Sequence, residues 1–216
     1  HTLEERDFIV QDWSTRAPAN EDIYTFRLLA TQEVSYETLL FTQRKELHRN
    51  LAELLEEQSP EAVDQIAYHA YLGEDWQRSL RYHLLAAAQD MQLFANLQSV
   101  EHFRKALASA EQLPPDATLA ERQKIHVGLG ELLLMLGQHD EGQEHLLIAL
   151  SLAEQMQDPE AQAKACRWIA RSFEVRGQYE PALEWIDRGL SILGDLLTPS
   201  ALELRLISGL IFSRKG

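Results

Sequence analysis

The spacing of apolar residues changes once along this chain. Near the start it is alternating. Tyr24, Phe26 and Leu28 are interleaved with Thr25 and Arg27, a period of two that predicts a strand, and Phe8, Ile9 and Val10 form another short apolar run. With the turn-forming stretch Ala17-Pro18-Ala19-Asn20 between them, this region reads as a small β-hairpin or wing. From about Thr31 onward the spacing is helical. Two helices are expected between 31 and 57, the second carrying Leu47, Leu51, Leu54 and Leu55 on one face, with Thr42 as its N-cap. Further helices are predicted near 61–72, 76–93, 97–112, 119–136, 139–156, 160–176, 179–196 and 200–213.

The ends of these helices carry recognisable punctuation. Ser59-Pro60-Glu61-Ala62, Asp158-Pro159-Glu160-Ala161 and Thr198-Pro199-Ser200-Ala201 each offer a capping oxygen and then a proline, whose missing N–H is harmless at the first helical position. Thr118 with Glu121 reads as a capping box. Gly137 and Gly177 stand where a helix must turn back through a left-handed residue. Gly73 has the same role, placed a residue early.

Small residues add a second, longer period. Ala67, Ser79 and Ala86 are separated by twelve and then seven positions. The same steps recur in Ala87, Ser99, Ala106, in Gly130, Gly142, Ala149, and in Ala170, Ala182, Gly189. A step of twelve passes from one helix round a tight turn to the next, and a step of seven stays on one face of the second. Small side chains at facing positions let two helix axes approach closely, so the comb predicts antiparallel helical hairpins. Large residues flank the slots as knobs beside grooves: Ile66, Leu129 and Ile169 before the first, and Phe103, Leu146 and Ile186 ahead of the last. The helix near 76–93 is shared by the first two sets. Units that each bury one face against the next form a solenoid, so an all-α superhelical stack is expected.

Composition removes several functional classes. An excess of 34 acidic over 20 basic residues gives a formal charge of −14, which repels phosphate backbones and anionic lipid, so neither nucleic acid nor membrane is an expected partner. Arg44, Lys45 and Arg49 are interleaved with Glu46, Glu53 and Glu56, making a charge-mixed face. Cys166 is the single cysteine, which excludes an intrachain disulfide, fits a reducing cytoplasm and reads as a buried structural thiol. No apolar run has the length of a membrane span. The apolar run Leu206, Ile207, Leu210, Ile211, Phe212 near the end, and a start without Met, suggest an excised piece of a longer protein.

The repeat units resemble a known family. Ile169-Ala170, Phe173, Gly177-Gln178-Tyr179-Glu180-Pro181-Ala182-Leu183, Ile186 and Gly189-Leu190 together resemble a tetratricopeptide repeat. Leu129-Gly130, Leu133, Gly137, Gly142, Leu146 and Ala149-Leu150 form a second such unit, and the units around Ala67 and Ala87 are degenerate. Upstream, Tyr24-Thr25-Phe26-Arg27, Thr31-Gln32-Glu33-Val34-Ser35-Tyr36-Glu37-Thr38-Leu39-Leu40 and Arg44-Lys45-Glu46-Leu47-His48 resemble a stretch of bacterial signalling ATPases of the STAND class, often fused to nucleotide-cyclase, kinase or transcription-activator domains. The resemblance implies that residues 1–57 are the end of a winged-helix-like subdomain with linking helices, and that 58–216 are a tetratricopeptide-like array of four hairpins and a final helix. No residue here matches that family's nucleotide-binding loop, and no Gly-Lys-Ser/Thr element is present.

Candidate chemistry is sparse. His69, His83, His102, His126, His139 and His145 fall on predicted helices, but no pair shows the i, i+4 spacing with a carboxylate that metal sites use, so no metal is expected. His83 and His102 read as packing or surface residues. Glu56, Glu57, Glu131, Asp140, Glu141 and Glu144 read as solubilising surface charge, and no nucleophile elbow appears. Neither a catalytic residue nor a cofactor is therefore assigned. Trp168, Trp185, Tyr179, Trp76 and Tyr82 read chiefly as core. The candidate binding surface is a concave groove lined by first-helix residues Arg167, Trp168, Arg171 and Glu174, because exposed Arg beside Trp is the composition of binding hot spots. The function expected is a non-catalytic interaction and regulatory module, in the cytoplasm, whose partner is a protein, a peptide or another domain of the same protein. The alternative is a sensor holding a small-molecule inducer in the curve of the solenoid.

Overall fold

In a computed structural model the chain is described over residues 8–11 and 24–215. Strands β1 (Ile9–Gln11) and β2 (Tyr24–Phe26) pair antiparallel, with Ile9 opposite Phe26. The expected hairpin is therefore present, while its turn at Ala17–Asn20 lies outside the described residues. Ten helices follow: α1 (Leu29–Thr38), α2 (Phe41–Gln58), α3 (Val63–Leu72), α4 (Trp76–Gln92), α5 (Asn96–Glu111), α6 (Leu119–Met135), α7 (His139–Gln155), α8 (Pro159–Glu174), α9 (Tyr179–Leu193) and α10 (Pro199–Lys215).

From α2 onward each helix packs on the next. The closest pairings are α4–α5, α6–α7 and α8–α9, and the junctions between these hairpins are looser. α4 serves as the first helix of its own hairpin and also packs on α3, as the shared comb position predicts. The expected division at 57/58 falls at the last residue of α2, a helix that packs on α3.

All twelve comb positions are buried. The reason is visible at Gly130, where a methyl group would sit 2.5 Å from Leu146 Cγ and 3.0 Å from the Gly142 carbonyl oxygen. At Gly189 a methyl would meet Leu204 at 2.8 Å. The knobs Ile66, Leu129, Ile169, Phe103, Leu146 and Ile186 are likewise buried. Ser99 fills a polar slot without penalty by donating to the Ala87 carbonyl at 2.9 Å, and Ser79 is hydrogen-bonded to Ser109 at 2.8 Å. The core runs along the stack as overlapping clusters. One joins α4, α5 and α6, another α6, α7 and α8, and a third α8, α9 and α10.

Five turns close in the same way. In α3–α4, α4–α5, α6–α7, α7–α8 and α8–α9 a left-handed residue precedes the N-cap: Glu74, Phe94, Gly137, Gln157 and Gly177. In each, the following N–H reaches back to a carbonyl five residues earlier, as in Asp75 to Ala70 at 2.9 Å and Gln138 to Leu133 at 2.8 Å. Only two of the five use glycine. Gly73 stays right-handed and Glu74 takes the strained position instead.

Three expected caps form differently. Asp158 and Thr198 do accept from Ala161 and Ala201. Ser59-Pro60-Glu61-Ala62, however, is a turn closed by Ala62 N–H to the Ser59 carbonyl, and α3 starts only at Val63. Thr118 directs its hydroxyl back to the Pro114 and Pro115 carbonyls, so no capping box with Glu121 forms. Thr42 lies inside α2, whose cap is Leu40, with the Leu40 N–H bonded to Gln43 Oε1 at 2.9 Å. For Thr118 the backbone carbonyls nearer in sequence satisfy the hydroxyl first.

Helix α10 buries Ala201, Leu204, Ile207 and Ile211 against α8 and α9. Leu202, Leu206 and Leu210 form an exposed stripe on another face, with Phe212 also exposed.

Candidate functional site

The first helices α6, α8 and α10 lie side by side, and their adjoining faces gather the charged groups expected to line a groove. Arg167 Nε lies 2.9 Å from Glu203 Oε2 on α10, an ion pair without hydrogen-bond alignment. Its guanidinium also covers the Trp168 ring, 4.4 Å from the centroid. Glu174 is almost completely buried, its side chain 1% exposed, and it receives both Arg171 and Arg214. Arg171 itself stays 41% exposed. Lys164 is exposed on the same helix, and Glu131 on α6 feels both Arg167 and Lys164.

Of the four expected residues, Arg167 and Glu174 meet α10, Arg171 joins them through Glu174, and Trp168 packs with the cluster of α6, α7 and α8. Arg167 and Glu174 clamp α10, Trp168 is stacked beneath the Arg167 guanidinium, and Arg171 presents its edge outward. Burial pulls the Arg167 pKa down, opposed by Glu203 and Glu131. Burial likewise raises Glu131 above the usual carboxylate range, opposed by Arg167 and Lys164. These are structural ion pairs on a mixed-charge face. They do not form a set of groups converging on a reacting atom.

A separate cleft of 810 Å³ lies where the α5–α6 connection leans over α4. It is lined by Leu80, Leu84 and Leu113 with Arg78, Arg81 and Glu121. Arg78 Nε is 2.7 Å from Glu56 Oε2, and Arg81 also pairs with Glu56. The hydrogen bond from Arg78 is the main cause holding Glu56 below its ordinary range. The cations at this cleft are thus neutralised from within the fold.

One set of contacts escaped the sequence reading. His48 and His69 face each other through their Nδ1 atoms at 2.8 Å. His83 and His102 do so at 2.9 Å, and so do His126 and His145. The last two pairs share a separation of 19 residues. Both also hold the same places in the comb, four residues before the first small slot and three after the second. That register is the signal the sequence carries. It runs between helices, whereas metal spacing is sought within single ones.

The chain matches no family profile and no curated protein. It does match solved structures. The apo form of RapI superposes with a TM-score of 0.59 and 14% identity, over 85% of this chain and 52% of that one. Aspartyl phosphate phosphatase F from Bacillus subtilis superposes at 0.55 and 14% identity, over 76% of this chain and 44% of that one. The fold is a tetratricopeptide-like solenoid. The chain spans about half the length of either structure, and at such identity the likeness extends to the fold alone.

Proposed function

We propose that this chain is a non-catalytic protein- or peptide-binding module of a larger regulatory protein. The observation that carries the reading is the face of α8 beside α10. There a rigid stack presents Arg171, Lys164 and the edge of the Arg167–Trp168 pair as a mixed-charge surface. Ion pairs of Glu174 with Arg171 and Arg214 and of Arg167 with Glu203, together with core packing, hold that surface in place, so a partner would meet it already ordered. The expected division, residues 1–57 as the tail of a winged-helix-like subdomain and 58–216 as the array, belongs to this proposal. So does a parent signalling ATPase, for which the support is the resemblance of residues 24–48. Among the described residues no helix is long and apolar enough to cross a membrane.

The second reading, a small-molecule effector, is favoured by the 810 Å³ cleft between α4 and the α5–α6 connection. The two separate experimentally. The chain and its Arg171→Glu variant serve as baits side by side, and the same chain is screened for thermal shifts against metabolites. The binding-module reading expects a partner retained by the first bait and lost from the second. A stabilising metabolite with no protein retained would replace it with the sensor reading.

A further inference from the structure

Six histidines form three pairs, each joining two consecutive helices, and two of the pairs hold the same places in the comb. In α4–α5 the pair is His83 and His102, and in α6–α7 it is His126 and His145. In α2–α3 it is His48 and His69, with ring centroids 5.0 Å apart. In α8–α9 the corresponding slots hold Cys166 and Trp185, which pack in one apolar cluster. Among the described residues no group of three ligands could hold a metal ion, so each pair is a hydrogen-bonded one.

Two Nδ1 atoms 2.8–2.9 Å apart leave room for one hydrogen. In the neutral pair one ring donates and the other accepts. A first added proton leaves that bond in place, now imidazolium to imidazole. A second puts an N–H on both facing atoms and two positive charges at hydrogen-bond distance. The rings must then separate, and they sit on opposite helices of one hairpin. We infer that the three pairs are proton-operated clasps, whose double protonation opens α2–α3, α4–α5 and α6–α7 while α8–α9 stays closed.

The surroundings decide where the protons go. Around the α4–α5 pair, Asp64 and Asp90 stand 3.6 and 3.7 Å from His102 Nε2. Lys105 opposes a charge on His83, which also packs against Tyr71. Around the α6–α7 pair, Arg122 faces His126, and Arg104 from α5 opposes Glu141 and Glu144 at His145. Around the α2–α3 pair, Tyr36 Oη is 2.8 Å from His48 Nε2 and Tyr68 stands edge-on to both rings. That last bond carries the effect to α1 and so toward the β-hairpin. Burial holds His83 down to about 3 and His126 to about 4, so the closed form resists the second proton. Cys166 is raised to about 11 by burial and does not titrate over this range.

The test uses the whole chain, with histidine ring resonances and amide exchange followed by NMR from about pH 7.5 to about pH 5. His48, His69, His83, His126 and His145 are expected to titrate below free histidine. Amides of α4 to α7 are expected to lose protection while those of α8 and α9 keep theirs. In parallel, H126C/H145W moves the α8–α9 pair into α6–α7. Its thermal midpoint should fall less on acidification than the parent's, by about 5 °C. Should that variant fail to fold, H126Q/H145Q removes the same titration and is read in the same way. Those five rings titrating as free histidines would overturn the inference. So would equal acid sensitivity of parent and variant, or α8–α9 opening with the rest.

Discussion

The tightest contact in the stack gives the sharpest stability test. Gly130 on α6 faces Leu146 and the Gly142 backbone on α7. A methyl added there would lie 2.5 and 2.6 Å from Leu146 Cγ and Cδ2, and 3.0 Å from a carbonyl oxygen. Carbon atoms pack at about 3.5–4.0 Å, so α6 and α7 must move apart by about 1 Å. Leu146 cannot yield alone, because it is fully buried and the nearer atom is its branch point. Overpacking of this kind costs about 1–3 kcal/mol. Replacing glycine inside a helix returns about 1 kcal/mol of that. Gly130→Ala should therefore fail to stabilise and should cost up to about 2 kcal/mol, or up to about 6 °C in a chain of this size. Gly209→Ala in α10 is the control, since a methyl there meets nothing within 4 Å. With no overpacking to oppose it, the same chemical change should stabilise by about 0.8–1 kcal/mol. Urea unfolding followed by circular dichroism reads both. Stabilisation of similar size in both variants would refute the close-approach argument.

Other outcomes follow from neighbouring features. Ala182→Leu fills another comb slot and should lower stability by about 1–3 kcal/mol in the same assay. Phe94 is left-handed and 87% exposed, so Phe94→Gly should raise the thermal midpoint, by an amount worth about 1 kcal/mol. Glu174→Ala removes the acceptor of two arginines that can rehydrate, and should cost about 2 kcal/mol while loosening α10 in amide exchange. His83 and His126 are held below the unfolded value of 6.5, so the unfolded chain binds more protons once pH drops. Their contribution is complete above 6.5 and lost as pH falls toward 4. Near pH 5 the loss is about 2 kcal/mol per histidine, checked by unfolding at several pH values.

The array was legible because its determinants are local or periodic. Small residues at steps of twelve and seven mark helix contacts, and Asp158-Pro159 and Thr198-Pro199 mark helix starts by chemistry contained in a few residues. What failed was competition between local partners. Thr118 has the right side chain for capping, yet nearby backbone carbonyls take its hydroxyl, and the Ser59 stretch closes as a turn before α3 begins. Glu74, Phe94 and Gln157 adopt a conformation their identities disfavour, because packing of the flanking helices dictates the turn. The candidate face was half legible. Arg167, Arg171 and Glu174 share one ion-paired side of α8, but the pairing with Glu203 and Arg214 depends on how α10 lies, which no spacing within α8 records.

The five matching turns bear on how such a chain could grow or shrink. Gly137 and Gly177 occupy the same joint geometry, each following a first helix and preceding a second. A deletion joining Gly137 to Gln178 would rebuild a joint that already exists at both places, and α6 would lead into α9 with its handed order intact. Duplication across the same points would add a hairpin equally cleanly. Recombination between identical joints therefore changes the length of the stack without asking any new turn to fold.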